Sequence, residues 1–534
     1  MSAGNAPMGG GEDVKETVVR DTARAAAEPG VSGRRTALFA VLAGLLLMLT
    51  FGAWALSSPV GASPDEDFHI ASIWCGSGER EGLCGAGSSA DTRMVPDTIE
   101  RAICYAHEPS RSAACQGGDF LDGRFGLTES DRVNGDGLYP SGYYFWTSLL
   151  ASDNLVLSVL AMRFAQALLF SVLAVGLWLL LPRANRLAYA GGIVATFVPF
   201  GLFLIPSINP SGWAIASAAL LLPALLGFFA SEGRRAWALG GYAALAALLG
   251  LGARGDSAAY TVIAVLAALA LSWEHSRRFW LRAIIPFGVI VAAAVAFLSA
   301  NQTGSALGGG MAIDGAAEVP KRALLVGNLF DLPELFFGVL GQNFDDSPYT
   351  GLGWLDTPLP ALVWLPTTFV FSAVLFTALA HFDWRKTVAV LGVASATVAI
   401  PLLLLVQNGV RVGWQVQPRY IMPLIIMLVI VALAPSRGPG GEWRRPGFSP
   451  AQCWTAAALL TVANSVALYT NLRRYVAPAE PRLGASVDWW WRSAPPPEFV
   501  WFAGSVAFAA LAVLLVLLAH PGLRLRRTGT HHLS

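Results

Sequence analysis

The chain has 534 residues, of which 54% are hydrophobic and 13% charged, a composition that excludes an ordinary soluble domain and points to the membrane class. Its formal charge of +1 carries no overall bias, so no nucleic-acid partner is indicated. Lysine is confined to Lys15, Lys321 and Lys386 while Arg, Ala and Gly abound, a usage typical of a high-GC bacterial genome.

Residues 1–35 are polar, end in Arg34 and Arg35, and read as a disordered cytoplasmic N-terminus. The apolar run 36–57 is longer than the ~7–15 residues of a signal-peptide core, so it is expected to be an uncleaved first span. Residues 58–152 follow as a large loop outside the cytoplasm, with fourteen Asp or Glu against six Arg over 58–137. At its end, 138–150 carries Tyr139, Tyr143, Tyr144, Phe145 and Trp146 and reads as an aromatic interfacial helix. Apolar segments of spanning length then fall at 153–181, 187–205, 211–230, 236–252, 257–273 and 281–300, filling 153–300 with spans two to seven. A second outer segment, 301–358, includes a stretch over 324–341 interrupted at Pro333, expected to lie in the interface or re-enter the membrane. Spans eight to twelve occupy 359–519, at 359–380, 387–406, 420–434, 451–470 and 499–519, before a cytoplasmic tail at 520–534.

The predicted fold is therefore an all-α polytopic membrane protein with about twelve transmembrane helices. Arginines at 183/186, 234/235, 277/278/282, 385 (with Lys386), 437/444/445 and 524/526/527 mark one side as cytoplasmic, with both termini on it; Arg473 and Arg474 are the main exception. The membrane is expected to be the inner (plasma) membrane. No fixed-period internal repeat is visible.

Cys75, Cys84, Cys104 and Cys115 all lie in the first outer loop, where two disulfides are expected. Nearest-neighbour pairing is the simplest of three connectivities, and a four-Cys zinc site is the alternative, against which the spacing argues. Cys453 lies in a span.

Just after the first span stands Ser63-Pro64-Asp65-Glu66-Asp67-Phe68-His69, three carboxylates and an imidazole close to the membrane surface. A carboxylate there suits a general base acting on a sugar hydroxyl. The plainer reading is a helix start, with Ser63, Pro64 and the acidic first turn as capping residues. Arg254, Arg411 and Arg419 lie at outer ends of spans and Lys321 and Arg322 in the second outer segment, at the depth of a lipid phosphate. Interfacial snorkelling is the structural alternative for each. Trp354 and Asp356 suit stacking and hydrogen bonding to a sugar, or else an anchor and a turn. Asn134-Gly135-Asp136-Gly137 is a poor calcium loop, Arg163 is a charge inside a span, Asp488-Trp489-Trp490-Trp491 reads as an aromatic belt, and His531 and His532 are too few for a metal site. No metal is assigned and no cofactor is called for, although a divalent cation is compatible with the pattern.

Pro64-Asp65-Glu66 with His69 resembles the opening motif of a bacterial membrane family known as domain of unknown function 2142. Asn209-Pro210-Ser211-Gly212 resembles its Asn-Pro-Asp turn with Ser211 in place of the acid. Residues 351–360, Gly-Leu-Gly-Trp-Leu-Asp-Thr-Pro-Leu-Pro, resemble its most specific segment, and Gln417-Pro418-Arg419-Tyr420 with Pro423 its Gln-Gly-Arg-Tyr element. That family is similar to the GT-C glycosyltransferases, which take a sugar from a polyprenyl-phosphate donor. The resemblance implies a GT-C-like architecture, an inverting transfer to an envelope glycan or lipid acceptor, Asp65 as base with Glu66 as its partner, and basic residues on the lipid phosphate. Together with the residues read above, the substrate-binding candidates are His69, Arg254, Tyr260, Lys321, Arg322, Trp354, Asp356, Arg419 and Tyr420, with Arg254 standing where the family often has Lys. The rival readings are a transporter or flippase for a lipid-linked envelope precursor, which would place charges deep in facing spans, and a non-catalytic scaffold.

Overall fold

The computed structural model describes residues 33–301, 319–344, 350–478, 489–491 and 494–520. The predicted cytoplasmic ends, including His531 and His532, and Asp488 of the aromatic run lie outside those residues. The chain divides into two compact units, 1–43 and 44–534. The described part of the first is the opening of helix α1 (Gly33–Leu56), and the second holds the remaining elements.

After α1 comes a short helix α2 (Glu66–Trp74), then strands β1 (Gly85–Ala86), β2 (Arg93–Pro96) and β3 (Leu127–Ser130), then helix α3 (Ser141–Ser148). The bundle continues with α4 (Leu155–Leu180), α5 (Arg183–Thr196), α6 (Phe200–Leu204), α7 (Ser211–Ala230), α8 (Gly233–Leu251), α9 (Asp256–Leu271) and α10 (Arg277–Ser299). It closes with α11 (Lys321–Gly338), α12 (Ala361–Ala378), α13 (Trp384–Gln407), α14 (Pro418–Leu433), α15 (Pro450–Val476) and α16 (Pro497–Ala519).

Eight of these, α1, α4, α7, α10, α12, α13, α15 and α16, are long and apolar enough to cross a membrane. The other four predicted segments are also helical but fall outside those limits: α8, the short helices α9 and α14, and the pair α5 and α6. Segment 187–205 is split because Pro199 disfavours helix at the residue before it and supplies no backbone donor. Sequence caps begin several helices: Asn154 accepts from Leu157 N at 2.9 Å before α4, and Ser449 with Gln452 forms a capping box at α15. Helices α7 and α14 are apolar on every side and buried, whereas α10, α12 and α16 expose Leu298, Phe376 and Phe502 as hydrocarbon-facing side chains would be. The chain is thus a mostly helical, multi-pass membrane protein.

Connections gather at two ends. At one, Arg235 donates to Leu180 O (2.6 Å), Arg282 to Phe229 O (2.9 Å), and Arg437 pairs with Glu274 at 2.8 Å. At the other, the long segments fold on one another. The first loop is a small folded layer closed by disulfides Cys75–Cys84 and Cys104–Cys115, with Trp74, Tyr105 and Phe120 in its core. Within this mostly helical chain it also carries an antiparallel sheet β1-β2-β3, which the sequence does not announce because strands of two to four residues carry no readable alternation. The expected interruption at Pro333 is corrected: α11 runs continuously through it, packed on α13 and α14.

Candidate functional site

The start of α2 separates two carboxylates that are adjacent in sequence. Glu66 Oε2 accepts from Ser63 N at 2.7 Å, closing the helix start, and Glu66 Oε1 pairs with Arg163 at 2.8 Å. Arg163 also donates to the carbonyls of Ala55 (3.1 Å), Ser58 (2.6 Å) and Pro59 (2.8 Å). Both partners are fully buried, so Glu66 ties α2 to the end of α1 and α4.

Asp65 does something else. It occupies the N-cap position of α2 yet makes no capping hydrogen bond, and its backbone is left-handed (φ 58°, ψ 22°). That conformation is unfavourable for a residue with a Cβ and persists only where surroundings fix it. Here Pro64 O accepts from Asn209 Nδ2 (2.8 Å) and Arg419 Nη1 (3.3 Å), and Ser63 Oγ donates to Ile208 O (3.3 Å). The Asp65 side chain, 40% exposed, meets Arg419 Nη2 at 2.7 Å. Burial alone would raise its pKa, but the charge and hydrogen bond of Arg419 more than offset this and hold the carboxyl below the usual range.

Arg419 sits in the first turn of α14, opened by Pro418 at a permitted position. The preceding turn is pinned by Asn328 of α11, which donates to Val410 O at 2.9 Å and accepts from Val412 N at 3.0 Å. Arg419 is 3% exposed. Its Nη2 also donates to Tyr420 Oη at 3.2 Å, and the Tyr420 carbonyl accepts from Tyr260 Oη at 2.8 Å. A second buried guanidinium, Arg254, lies 4.5 Å from the Tyr420 ring centre, with Arg419 at 5.1 Å from the same ring. Arg254 is held by Asp256 through Nε (3.0 Å) and Nη2 (2.8 Å), with Ser211 Oγ 3.4 Å from Nη1. The rim between these groups is aromatic: Tyr139 lies 5.8 Å from Arg254 and 5.7 Å from Phe68.

His69 is buried one turn after Asp65, its Nδ1 hydrogen-bonded with Tyr144 Oη at 2.9 Å. Burial pushes its pKa down to about 3; Asp65 opposes this, and Arg419, Arg254 and Arg132 add to it. The imidazole is therefore neutral at physiological pH and orients α2 against α3. Burial also raises Tyr139 to about 12, keeping its hydroxyl protonated.

The structure thus brings Asp65, Arg254, Tyr260, Arg419 and Tyr420 into one group, with His69 behind it. It does not bring Trp354 and Asp356, the candidates for stacking on and hydrogen-bonding to a sugar, into this group. Trp354 Nε1 donates to Gly61 O at 2.7 Å, and Asp356 is buried against Arg474 at 2.8 Å while accepting from His107 N at 3.2 Å. Arg474 further donates to the carbonyls of Arg111, Tyr105 and Glu108 at 2.7, 2.9 and 3.0 Å. Gly353 makes this packing possible, since a Cβ there would stand 2.5 Å from Tyr475 Oη. Lys321 and Arg322 are exposed in the first turn of α11 and do not join the Asp65 group. Asn134 clamps its own loop, donating to Tyr139 O at 2.9 Å and accepting from Tyr139 N at 2.8 Å. Among the described residues no group of three or more His, Cys, Asp or Glu is placed to hold a metal ion.

The family described as Predicted membrane protein (DUF2142) matches residues 47–428. The chain belongs to this family. The DUF2142 region runs from within α1 to within α14, so it takes in Asp65, Arg254 and Arg419 together, while Arg474 and α16 lie beyond it. None of the curated proteins matches the chain. Within the DUF2142 region, the sequence reading had passed over Tyr139 as a contributor to the arginine group and Asp256 as the partner of Arg254. Asp256 was open to inference, because two opposite charges one residue apart in a tight turn must meet or be separately solvated. Tyr139 was not, because it reaches the site only through the fold of its loop.

Proposed function

We propose that this protein is a glycosyltransferase of GT-C-like architecture acting outside the cytoplasm, which moves a sugar from a polyprenyl-phosphate donor to an envelope glycan or lipid acceptor with inversion. The observation that carries the proposal is the half-exposed Asp65 carboxylate paired with the buried Arg419, with the buried Arg254 against the same Tyr420 ring, at the bundle end that bears the long loops. The opposite end carries the arginine-rich connections, which by the positive-inside rule belongs to the cytoplasm of an inner-membrane protein with both termini inside. With nucleotide sugars absent on the outer side, the donor arrives on a lipid whose phosphate lies at headgroup depth, where buried arginines bind it with parallel hydrogen bonds.

In the proposed reaction the acceptor oxygen attacks the anomeric carbon from the face opposite the phosphate. Asp65 takes the hydroxyl proton, the bond from the anomeric carbon to the phosphate oxygen breaks, and its electron pair leaves with the polyprenyl phosphate. Arg419 and Arg254 stabilise the charge that develops on that leaving group. This reading adds α8, α9, α14 and the pair α5 and α6 to the eight long apolar helices, an even number of crossings that keeps both termini on one side. The transporter reading loses its best residue, since Arg163, the charge inside a span, is taken up by Glu66 and three carbonyls instead of lining a path.

The test is purified protein in nanodiscs supplied with polyprenyl-phosphate sugars extracted from the source membrane and an envelope glycan acceptor. Release of polyprenyl phosphate with matching growth of the acceptor is expected, falling by about 10²–10⁴-fold in Asp65→Asn. Acceptor growth undiminished in Asp65→Asn would remove Asp65 as the base.

A further inference from the structure

Arg419 is incompletely used by the protein. Its Nη1 makes only a long contact, 3.3 Å to Pro64 O, and its Nε is buried without a hydrogen-bond partner among the described residues. An unpaired donor in so buried a guanidinium is costly and calls for an acceptor. Asp65 meets Arg419 through one oxygen and one nitrogen instead of the two-point geometry a guanidinium and a carboxylate prefer. The Asp65 carboxylate is half-exposed, and the backbone that presents it is fixed by hydrogen bonds to Pro64 O, so the side chain can turn away without refolding α2. Arg254 differs, since Asp256 engages it at two nitrogens within one turn. The neighbouring Arg132 is likewise paired, with Asp67, so three guanidinium groups face three carboxylates and an anion entering this group finds no spare positive charge among the described residues until one carboxylate moves.

We propose that Asp65 is a displaceable occupant of the phosphate site: a phosphate group takes Arg419, and by doing so releases Asp65 as a base. This deepens the transferase reading and rests on its assignment of Arg419 to the phosphate. The consequence is order. While paired with Arg419 the Asp65 carboxylate is a poor proton acceptor, and when the phosphate neutralises Arg419 that restraint is lifted, so the acceptor is activated only after the phosphate-bearing donor is seated.

The experiment measures binding alone, with neither sugar nor acceptor present. Wild type, Asp65→Asn, Asp65→Gly and Arg419→Gln are titrated with undecaprenyl phosphate in nanodiscs and separately with inorganic phosphate. Asn and Gly both tolerate a left-handed backbone, so the two variants remove the carboxylate while keeping the turn. The expected result is that both Asp65 variants bind tighter by about tenfold, since the competing anion is gone, while Arg419→Gln loses binding. A gain confined to the lipid identifies a lipid phosphate as the displacing ligand, and one confined to inorganic phosphate identifies a free phosphate. Equal or weaker binding of both probes by both Asp65 variants overturns the proposal. Tighter binding by the Asp65 variants, with wild type transferring no sugar in the separate nanodisc transfer assay, would leave the displacement standing and reject the transferase.

Discussion

A left-handed backbone turns Asp65, which stands where a residue would cap α2, toward Arg419 instead, and leaves the closing of the helix start to Glu66. Neighbours in sequence thus serve opposite ends, one half-exposed against Arg419 and one sealed against Arg163. His69 carries a pH signature of this packing. Its folded pKa of about 3 lies below the ordinary 6.5, so between those values the unfolded chain binds a proton that the folded chain does not. Stability should therefore fall as pH drops from about 6.5 toward 3, by at most about 1.4 kcal/mol per pH unit, and His69→Gln should flatten that slope in a thermal-melting series. Asp65 and Arg419 were legible because they sit in short recognisable motifs. The partner of Glu66 was not, lying 97 residues away, and neither was that of Asp356, 118 residues away. Arg474 also explains its own departure from the charge rule: it is on the loop-bearing end because it is a buried structural partner of Asp356, not a surface charge. Arg474→Ala should leave that carboxylate buried and unpaired and cost about 3–5 kcal/mol, read as a lowered melting temperature at neutral pH.

Between elements, the Asp65 group depends on helices that contribute none of its side chains. Helix α3 lies so close to the end of α8 that a Cβ on Gly142 would stand 2.8 Å from the Gly252 Cα, and Tyr143 N donates to Gly252 O at 2.7 Å. This contact sets Tyr139 and Arg254 into one group, since each lies within a few residues of it in sequence. Helix α11 acts from the other side through Asn328. Asn328→Ala should free the turn before α14 and weaken undecaprenyl phosphate binding several-fold with Arg419 itself intact, whereas unchanged binding would show that the turn needs no such tether. The long apolar helices were readable because membrane-spanning length is imposed by the bilayer. The break at Pro199, the continuity of α11 and the short strands were settled by local packing, which hydropathy averages away.

For the whole molecule, the division of labour follows from where charge is tolerated. The arginine-rich connections occupy one end, the disulfide-closed acidic loop the other, and within the bundle both terminal nitrogens of the buried Arg163 are taken up by Glu66 and three carbonyls. The general architecture was legible in the sequence for that reason, and so was the neighbourhood of the site. The sorting of motif residues into those gathered around Asp65 and Arg419 and those that lock loops together required the fold. The central claim, that Asp65 is the base of an outer-face sugar transfer from a lipid phosphate, is tested most directly in a deletion strain complemented at equal expression with wild type or Asp65→Asn. Envelope glycan linkages and polyprenyl-phosphate sugars are compared across the strains. The account predicts that deletion removes one linkage and accumulates its lipid donor, and that only wild type restores it. Full restoration by Asp65→Asn, or a deletion that alters no linkage and no donor pool, would contradict it.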